Sequence, residues 1–427
     1  MRRSIVEIRY AATTDVGRKR AHNEDNYLVD PDLRLFVVAD GMGGHASGEI
    51  ASAMAVHTVR DHIIAAQDVI DDLDPHDVTA HMEVCTLLEY SVHRACEQIW
   101  EKAQLEPEKR GMGTTVVALL LAQDRGYIAY VGDSRIYLLR GGIVYQLTED
   151  HSLSNELIRQ GKLRADEIDA SPYAKLKTAM TRAVGPNENV EVDTLDFDMI
   201  PGDAFLLCSD GLYEYLGDED IARMLSGPDL DRVPGHLVEM ANQGGGKDNI
   251  TAIVVQVSGD DARPQEAAEL NHTLAILRQV PLCRDLSQQQ LVRMMNLTSV
   301  LHLAKGHAIF RENDDGDQLF VIVEGSVDLS VGGAVLATLS EGDHFGEMAL
   351  LGASPRSATA VATEPAKLLS ISRSDFHQLL RKEAPLAVRL LWSFLRVLAQ
   401  RLRDTNSELA SARRESLEDM SDDLFDD

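Results

Sequence analysis

Leu33-Arg-Leu-Phe-Val-Val-Ala-Asp-Gly-Met-Gly-Gly-His45 reads as an apolar strand that stops on an acidic residue followed by glycine. Acidic positions sit where other strands end or begin along the chain. Asp133 follows Tyr127-Ile-Ala-Tyr-Val-Gly132, and Asp210-Gly211 follows Phe205-Leu-Leu-Cys-Ser209. Asp248-Asn249 precedes Ile250-Thr-Ala-Ile-Val-Val255, and Glu24-Asp25 precedes Asn26-Tyr-Leu-Val29. One such residue is ordinarily a turn cap. Several at the ends of neighbouring strands can converge, and converged carboxylates repel one another unless cations neutralise them. Hard divalent ions such as Mg²⁺ or Mn²⁺ prefer such all-oxygen sites.

The rest of the chain bounds this reading. Its 427 residues suggest two or three domains, each able to bury a core. Asp and Glu number 69 against 41 Lys and Arg, a formal charge of -28, which disfavours nucleic acid or an anionic membrane as partner. Cys85, Cys96, Cys208 and Cys283 form no CxxC pair and no secretory leader is evident, so reduced thiols in a cytoplasmic protein are expected. The longest apolar runs, such as Thr115 to Ala122, fall far short of the roughly 20 residues that span a bilayer.

Over residues 6–257, short strand-like runs alternate with amphipathic helical stretches near 49–67 and 87–104, predicting a mixed α and β domain over 1–257. The polar segment 258–271 reads as a linker. A second domain is expected over 272–404, with a helical stretch from Leu270 to Met295 and then short strands separated by glycines at β-roll spacing. Residues 374–413 return to a helical period, with Leu386, Leu390, Leu391, Phe394, Leu395 and Leu398 on one side. Residues 405–427 read as the helix end and an acidic tail, in which Leu424 and Phe425 are docking candidates.

Residues 14–25, Thr-Asp-Val-Gly-Arg-Lys-Arg-Ala-His-Asn-Glu-Asp, resemble the opening motif of the PP2C family of metal-dependent serine/threonine protein phosphatases. Six further motifs follow in family order: Val38 to His45, Gly113-Thr-Thr115, Val131 to Arg135, Thr148 to Ser152, Leu207 to Leu212 and Lys247 to Thr251. The resemblance implies an α+β fold, an αββα β-sandwich of two antiparallel sheets flanked by helices, with metals in a cleft at one end. It implies that Asp40 bridges two Mn²⁺ or Mg²⁺ ions. Glu24 and the Gly41 carbonyl would serve one ion and Asp210 and Asp248 the other, while Asp133 would help hold a third. Two ions about 3.5–4 Å apart would acidify a bridging water for in-line attack on phosphorus. Arg20 matches the family's phosphate-binding arginine, whose planar fork suits two phosphoryl oxygens. Arg20, Asp40 and Asp210 are thus the expected catalytic residues, and phosphoserine and phosphothreonine proteins, the products of Ser/Thr kinases, the expected substrates. Many eukaryotic members carry a His after the Asp-Gly pair to protonate the leaving oxygen; here that residue is Met42, leaving His45 or solvent. His151 is given an orienting role.

Residues 341–359, Glu-Gly-Asp-His-Phe-Gly-Glu-Met-Ala-Leu-Leu-Gly-Ala-Ser-Pro-Arg-Ser-Ala-Thr, resemble the phosphate-binding cassette of cyclic-nucleotide-binding domains. Glu347 and Arg356 stand nine apart, enough for a short helix and a turn. The resemblance implies a β-roll with flanking helices that binds cAMP or cGMP. Gly346, Glu347, Met348, Ala349, Arg356 and Ser357 would contact the nucleotide, Arg356 on the cyclic phosphate and Glu347 on the ribose hydroxyl.

Rival readings are weaker on the residues. A cysteine phosphatase needs Arg six positions after its Cys, yet Glu214 stands six after Cys208, which reads as buried strand packing. A transcription regulator sharing the sensor would need a helix-turn-helix and a basic recognition helix, whereas the sequence closes on Ser421-Asp-Asp-Leu-Phe-Asp-Asp427. A pseudophosphatase that binds phosphoproteins and signals through the sensor is the alternative, but it would have lost a metal carboxylate, and none is missing.

Overall fold

The computed structural model describes residues 7–43, 47–74, 77–160, 162–176, 178–259, 264–284, 286–352, 355–382 and 384–422. The chain divides into two compact units, Met1–Asn271 and His272–Asp427. In the first, strands β1 (Glu7–Asp15), β2 (Asp25–Asp30) and β3 (Leu35–Met42) lead into helices α1 (Ser47–Ala65), α2 (Gln67–Asp71) and α3 (Val78–Leu105). Strands β4 (Gly113–Thr114), β5 (Val116–Ala122), β6 (Arg125–Val131), β7 (Arg135–Arg140) and β8 (Ile143–Gln146) follow, then α4 (Leu153–Arg159), β9 (Asp193–Asp198) and β10 (Ala204–Cys208). Helices α5 (Asp210–Tyr213), α6 (Asp218–Leu225) and α7 (Val233–Gly244) precede β11 (Ile250–Ser258).

Two antiparallel sheets result, ordered β1-β11-β10-β7-β8 and β2-β3-β5-β6-β9, with β4 beside β3. The two-residue period sorts side chains between layers. In β3, Leu35, Val37 and Ala39 pack with Val59 of α1 and Leu88 of α3, whereas Phe36 faces the other way and meets Tyr10 of β1 at 5.9 Å between ring centroids. In β10, Leu206 and Cys208 pack with Leu225 of α6 and Leu237 of α7, while Phe205 meets Phe197 of β9 at 5.8 Å. Burial on both faces is why these strands read as unbroken apolar runs, and it gives the helix, sheet, sheet, helix layering of the expected sandwich. All four cysteines are free thiols, and Cys208 is fully buried in β10.

Antiparallel register carries the acidic strand ends to one edge. Asp25 opposes Asp40, Val38 opposes Val117, and Val116 opposes Val131, so β2 begins where β3 and β6 end. In the other sheet Cys208 opposes Ala252, placing the end of β10 beside the start of β11.

Helix α8 (Pro264–Gln279) begins inside the stretch read as linker. Its Asn271 donates to the Arg140 carbonyl and accepts from the Tyr145 hydroxyl, fastening this part of the helix to β7 and β8. The helical stretch expected over 270–295 is in fact α8 and α9 (Gln288–Asn296). Pro281, which lacks the amide a continuous helix needs, stands between them, and Ser287 restarts the helix as N-cap by accepting the Gln290 N–H.

Strands β12 (Thr298–Leu303), β13 (Ala308–Phe310), β14 (Gln318–Glu324), β15 (Val327–Val331), β16 (Ala334–Leu339) and β17 (His344–Phe345) are followed by the single-turn α10 (Met348–Leu351). Strands β18 (Thr359–Ala362) and β19 (Ala366–Ser372) complete two antiparallel sheets, β12-β19-β14-β17 and β13-β18-β15-β16, consistent with a β-roll. Phe320, Ile322, Val327, Phe345 and Leu368 form its core. The helical stretch expected over 374–413 is divided between α11 (Arg373–Lys382) and α12 (Ala384–Asp422). Its apolar side is narrower than expected: Leu386, Leu390 and Phe394 are buried, but Leu391 and Leu395 are 45% and 58% exposed. A strict four-residue step keeps Leu386, Leu390, Phe394 and the half-buried Leu398 on the stripe and leaves Leu391 and Leu395 off it. Leu424 and Phe425 lie outside the described residues. Among the described residues no helix is long and apolar enough to cross a membrane.

Candidate active site

At the edge where the strand ends meet, a cavity of about 370 Å³ is lined by Arg20, Glu24, Asp40, Gly41, Asp133, Asp210 and Asp248. Every residue assigned from the sequence to metal or catalysis therefore reaches one place. His22, Met42, Met180 and Asn249 line it too. Nothing in residue type announced His22 or Met180. His45 lies outside the described residues. Among the described residues no three of the acidic groups close on a single point.

The flanking motifs hold these groups in place. Asp40 donates its N–H to Thr115 Oγ1 at 2.9 Å, and its carbonyl accepts from the Thr115 N–H at 2.8 Å and Thr114 Oγ1 at 2.9 Å. This is what Gly113-Thr-Thr115 supplies. Gly41 admits no side chain, because a Cβ there would meet the Gly48 carbonyl at 2.2 Å and the Glu24 carbonyl at 2.5 Å. Below the cavity Asp25 accepts from Ser209 Oγ at 2.7 Å and Thr251 Oγ1 at 2.6 Å, tying β2 to the opposite sheet. The sequence reading assigned Asp25 no role. His151 Nδ1 accepts the Gly132 N–H at 3.0 Å and Nε2 lies 3.2 Å from Asp193 Oδ2, so it supports the peptide before Asp133 from outside the cavity.

Electrostatics mark the cluster as short of positive charge. Burial, then the charges of Asp25, Asp210, Asp133 and Asp248, pushes the Asp40 carboxyl well above the carboxylate range. Burial and Asp248 raise Asp210 to about 6, and burial with Asp210 and Asp150 raises Asp133 to about 7. Burial also takes Asp25 to about 6, against the pull of its two hydroxyl donors. A carboxyl whose folded pKa exceeds its unfolded value stabilises the fold when protonated, and that contribution is lost as pH rises through the folded pKa. In chelator, the melting temperature should therefore rise as pH falls from 8 to 5, across the interval these values define. A flat or falling curve over that range would contradict the charge assignment.

The donors fit hard divalent ions. All are oxygen, the site is short of positive charge, and Asp210 Oδ1 is buried with no hydrogen-bond partner. Arg20 Nη2 meets Asp248 Oδ2 at 2.6 Å, which raises the arginine pKa further. Both groups are partly open to solvent, so the pair is weak and easily exchanged.

The second unit holds a smaller cavity of about 210 Å³, lined by Gly346, Glu347, Met348, Ala349, Arg356 and Ser357 together with Phe310 and Phe345. Arg356 is 8% exposed, donates to the carbonyls of Gln318 at 2.9 Å and Gly346 at 3.4 Å, and lies 4.2 Å over the Phe310 ring. Its Nε has no partner, and burial lowers its pKa. Gly316 makes room for it, since a Cβ there would sit 2.2 Å from that Nε. The aromatic floor was not read from the sequence, because Phe310 arrives from a strand remote from the cassette.

Residues 16–248 match the Protein phosphatase 2C family model. The chain belongs to the protein phosphatase 2C family. Residues 300–383 of this phosphatase-family chain match the cyclic nucleotide-binding domain model. The serine/threonine protein phosphatase PstP of Mycobacterium tuberculosis is 34% identical over 345 residues, which is 73% of this chain and 63% of that protein. The chain thus spans under two thirds of the mycobacterial relative. The serine/threonine phosphatase stp of Listeria innocua is 39% identical over 247 residues, 57% of this chain and 93% of that protein. The crystal structure of the M. tuberculosis phosphatase PstP/Ppp superposes with a TM-score of 0.51 at 34% identity, covering 60% of this chain and all of that one.

Proposed function

We propose that the first unit is a metal-dependent protein phosphatase that hydrolyses phosphoserine and phosphothreonine, and that the second binds cAMP or cGMP and regulates it. The convergence of Arg20, Glu24, Asp40, Asp133, Asp210 and Asp248 on one cavity supports the first part most directly. Glu24, Asp40, the Gly41 carbonyl, Asp133, Asp210 and Asp248 are the groups that would hold Mn²⁺ or Mg²⁺. Bound there, such ions supply acidified water and neutralise phosphoryl charge. The chain's own part is orientation and charge balance. Thr114 and Thr115 fix the Asp40 backbone, Ser209 and Thr251 fix Asp25 beneath it, and Arg20 exchanges its weak contact with Asp248 for phosphoryl oxygens. Met42 carries no transferable proton, so the leaving oxygen takes its proton from another group or from solvent. Support for the second part is the buried Arg356, whose hydrogen bonds go to neutral carbonyls.

Phosphothreonine-peptide hydrolysis with Mn²⁺, with and without chelator, tests this reading; a fully metallated chain that binds phosphopeptide but releases no phosphate would be the pseudophosphatase. Arg20→Ala should raise KM or lower kcat/KM by about 10- to 100-fold with Mn²⁺ affinity nearly unchanged, because the lost donors face phosphate. Calorimetry showing loss of the metals instead would reassign Arg20 to a structural role.

A further inference from the structure

Residues 16–24 join β1 to β2 and carry both Arg20 and Glu24, yet what shapes this loop is a buried amide outside it. Asn249, at the start of β11, is 5% exposed. Its Oδ1 accepts the Glu24 N–H at 2.8 Å, and its Nδ2 donates to the carbonyls of Val16 at 3.0 Å and His22 at 2.9 Å. Both amide hydrogens and the oxygen are thus engaged at the two ends of one loop. Arg20 lies between the anchors at Val16 and His22, and its guanidinium reaches the residue next to Asn249, Asp248.

The loop is pressed against the same strand start at its other contacts. The Arg18 N–H donates to the Gly246 carbonyl at 2.7 Å. Gly17, at φ +78, passes so close that a Cβ would lie 2.1 Å from the Asp248 carbonyl. No other side-chain type of this size supplies two donors and an acceptor together. Asp, its isostere, would set an acceptor against two carbonyls, and Ser has a single donor.

We propose that Asn249 is the positioning residue for Arg20. By drawing both ends of the loop onto β11 it sets where the guanidinium stands over the acidic cavity, and through that the affinity for a phosphoryl group. An amide that only stabilised the fold would lower the melting temperature without selective loss of phosphate binding. This inference rests on the phosphatase reading of the cavity.

The test is a double-mutant cycle on the full chain saturated with Mn²⁺, reading the calorimetric Kd of inorganic phosphate and the KM of a phosphothreonine peptide. Asn249→Ala should weaken both about tenfold, as Arg20→Ala does, and the double variant should be no worse than Arg20→Ala alone, because the two act through one contact. Gly17→Ala, which displaces the loop without touching Asn249, should reproduce the phosphate loss and serves if Asn249→Ala does not fold. Equal loss from Asn249→Ala with and without Arg20, or a fall in kcat with phosphate affinity intact, would overturn the proposal. Wild-type chain that binds Mn²⁺ but hydrolyses nothing would instead overturn the phosphatase reading.

Discussion

Replacing Asp40 or Asp210 with alanine should lower kcat on the order of a thousandfold or more while the chain still folds. Both carboxylates stand among the groups that would hold the ions, so either loss removes the source of the attacking water and not merely a contact to substrate. The fold should survive because these side chains are electrostatic liabilities without a cation. Burial and four neighbouring carboxylates raise Asp40 well above its ordinary range, so its ionised form opposes folding. Asp40→Asn, which mimics the protonated carboxyl, should therefore melt higher than wild type in chelator at pH 8. That gain should shrink toward zero by pH 5, where the wild-type cluster takes up protons. With Mn²⁺ present the order should reverse, since the wild type alone gains full binding stabilisation. Undiminished hydrolysis in either alanine variant would remove the mechanism, and an Asp40→Asn variant no more stable in chelator at pH 8 would remove the charge argument.

Local sequence made the acidic lining of the first cavity legible because an apolar run ending on Asp-Gly is a strand end whatever follows, and antiparallel pairing leaves such ends few places to go. Asp40 and Asp210 were readable for that reason, and Asp133 because it follows an apolar run closed by Gly132. What was not readable depends on partners distant in the chain. Asp25 is held by Ser209 and Thr251, and Asn249 by carbonyls more than 200 residues earlier. Neither residue type reveals which of its hydrogen bonds will be met. The second unit followed the same division: Glu347 and Arg356 lie within one short segment, but the Phe310 ring beneath the guanidinium comes from another strand. Helix continuity failed where one residue overrides a periodic pattern, as at Pro281, and the polar composition of 264–271 concealed the start of a helix whose Asn271 is buried beside β7 and β8.

Saturating cAMP or cGMP should raise the melting temperature of the second unit in the intact chain, by about 2.7 kcal/mol of added stability at a hundredfold excess over Kd, and Arg356→Ala should erase the shift. The guanidinium is desolvated, lies over the Phe310 ring and donates to the carbonyls of Gln318 and Gly346, so a cyclic phosphate offers it a charge-assisted partner in place of neutral ones. Arg356→Lys should lose most of the shift as well, since an ammonium keeps the charge but not the planar fork. Regulation is a separate expectation with its own readout. A chain ending at Asn271 retains the contacts of that residue to Arg140 and Tyr145, and is the cleaner truncation for it than one ending at Val257. The truncated enzyme should hydrolyse phosphopeptide at a rate indifferent to nucleotide, while the full chain should be slower without nucleotide and approach that rate with it. Any part of the effect that acts on phosphate affinity must be reciprocal, so to that extent a phosphate analogue in the first cavity should tighten nucleotide binding by the same factor, a coupling of typically about 1–3 kcal/mol. If nucleotide stabilises the wild type but not Arg356→Ala, and the full chain nevertheless matches the truncation with and without ligand, the second unit binds nucleotide without gating catalysis and serves to place the phosphatase near its substrates.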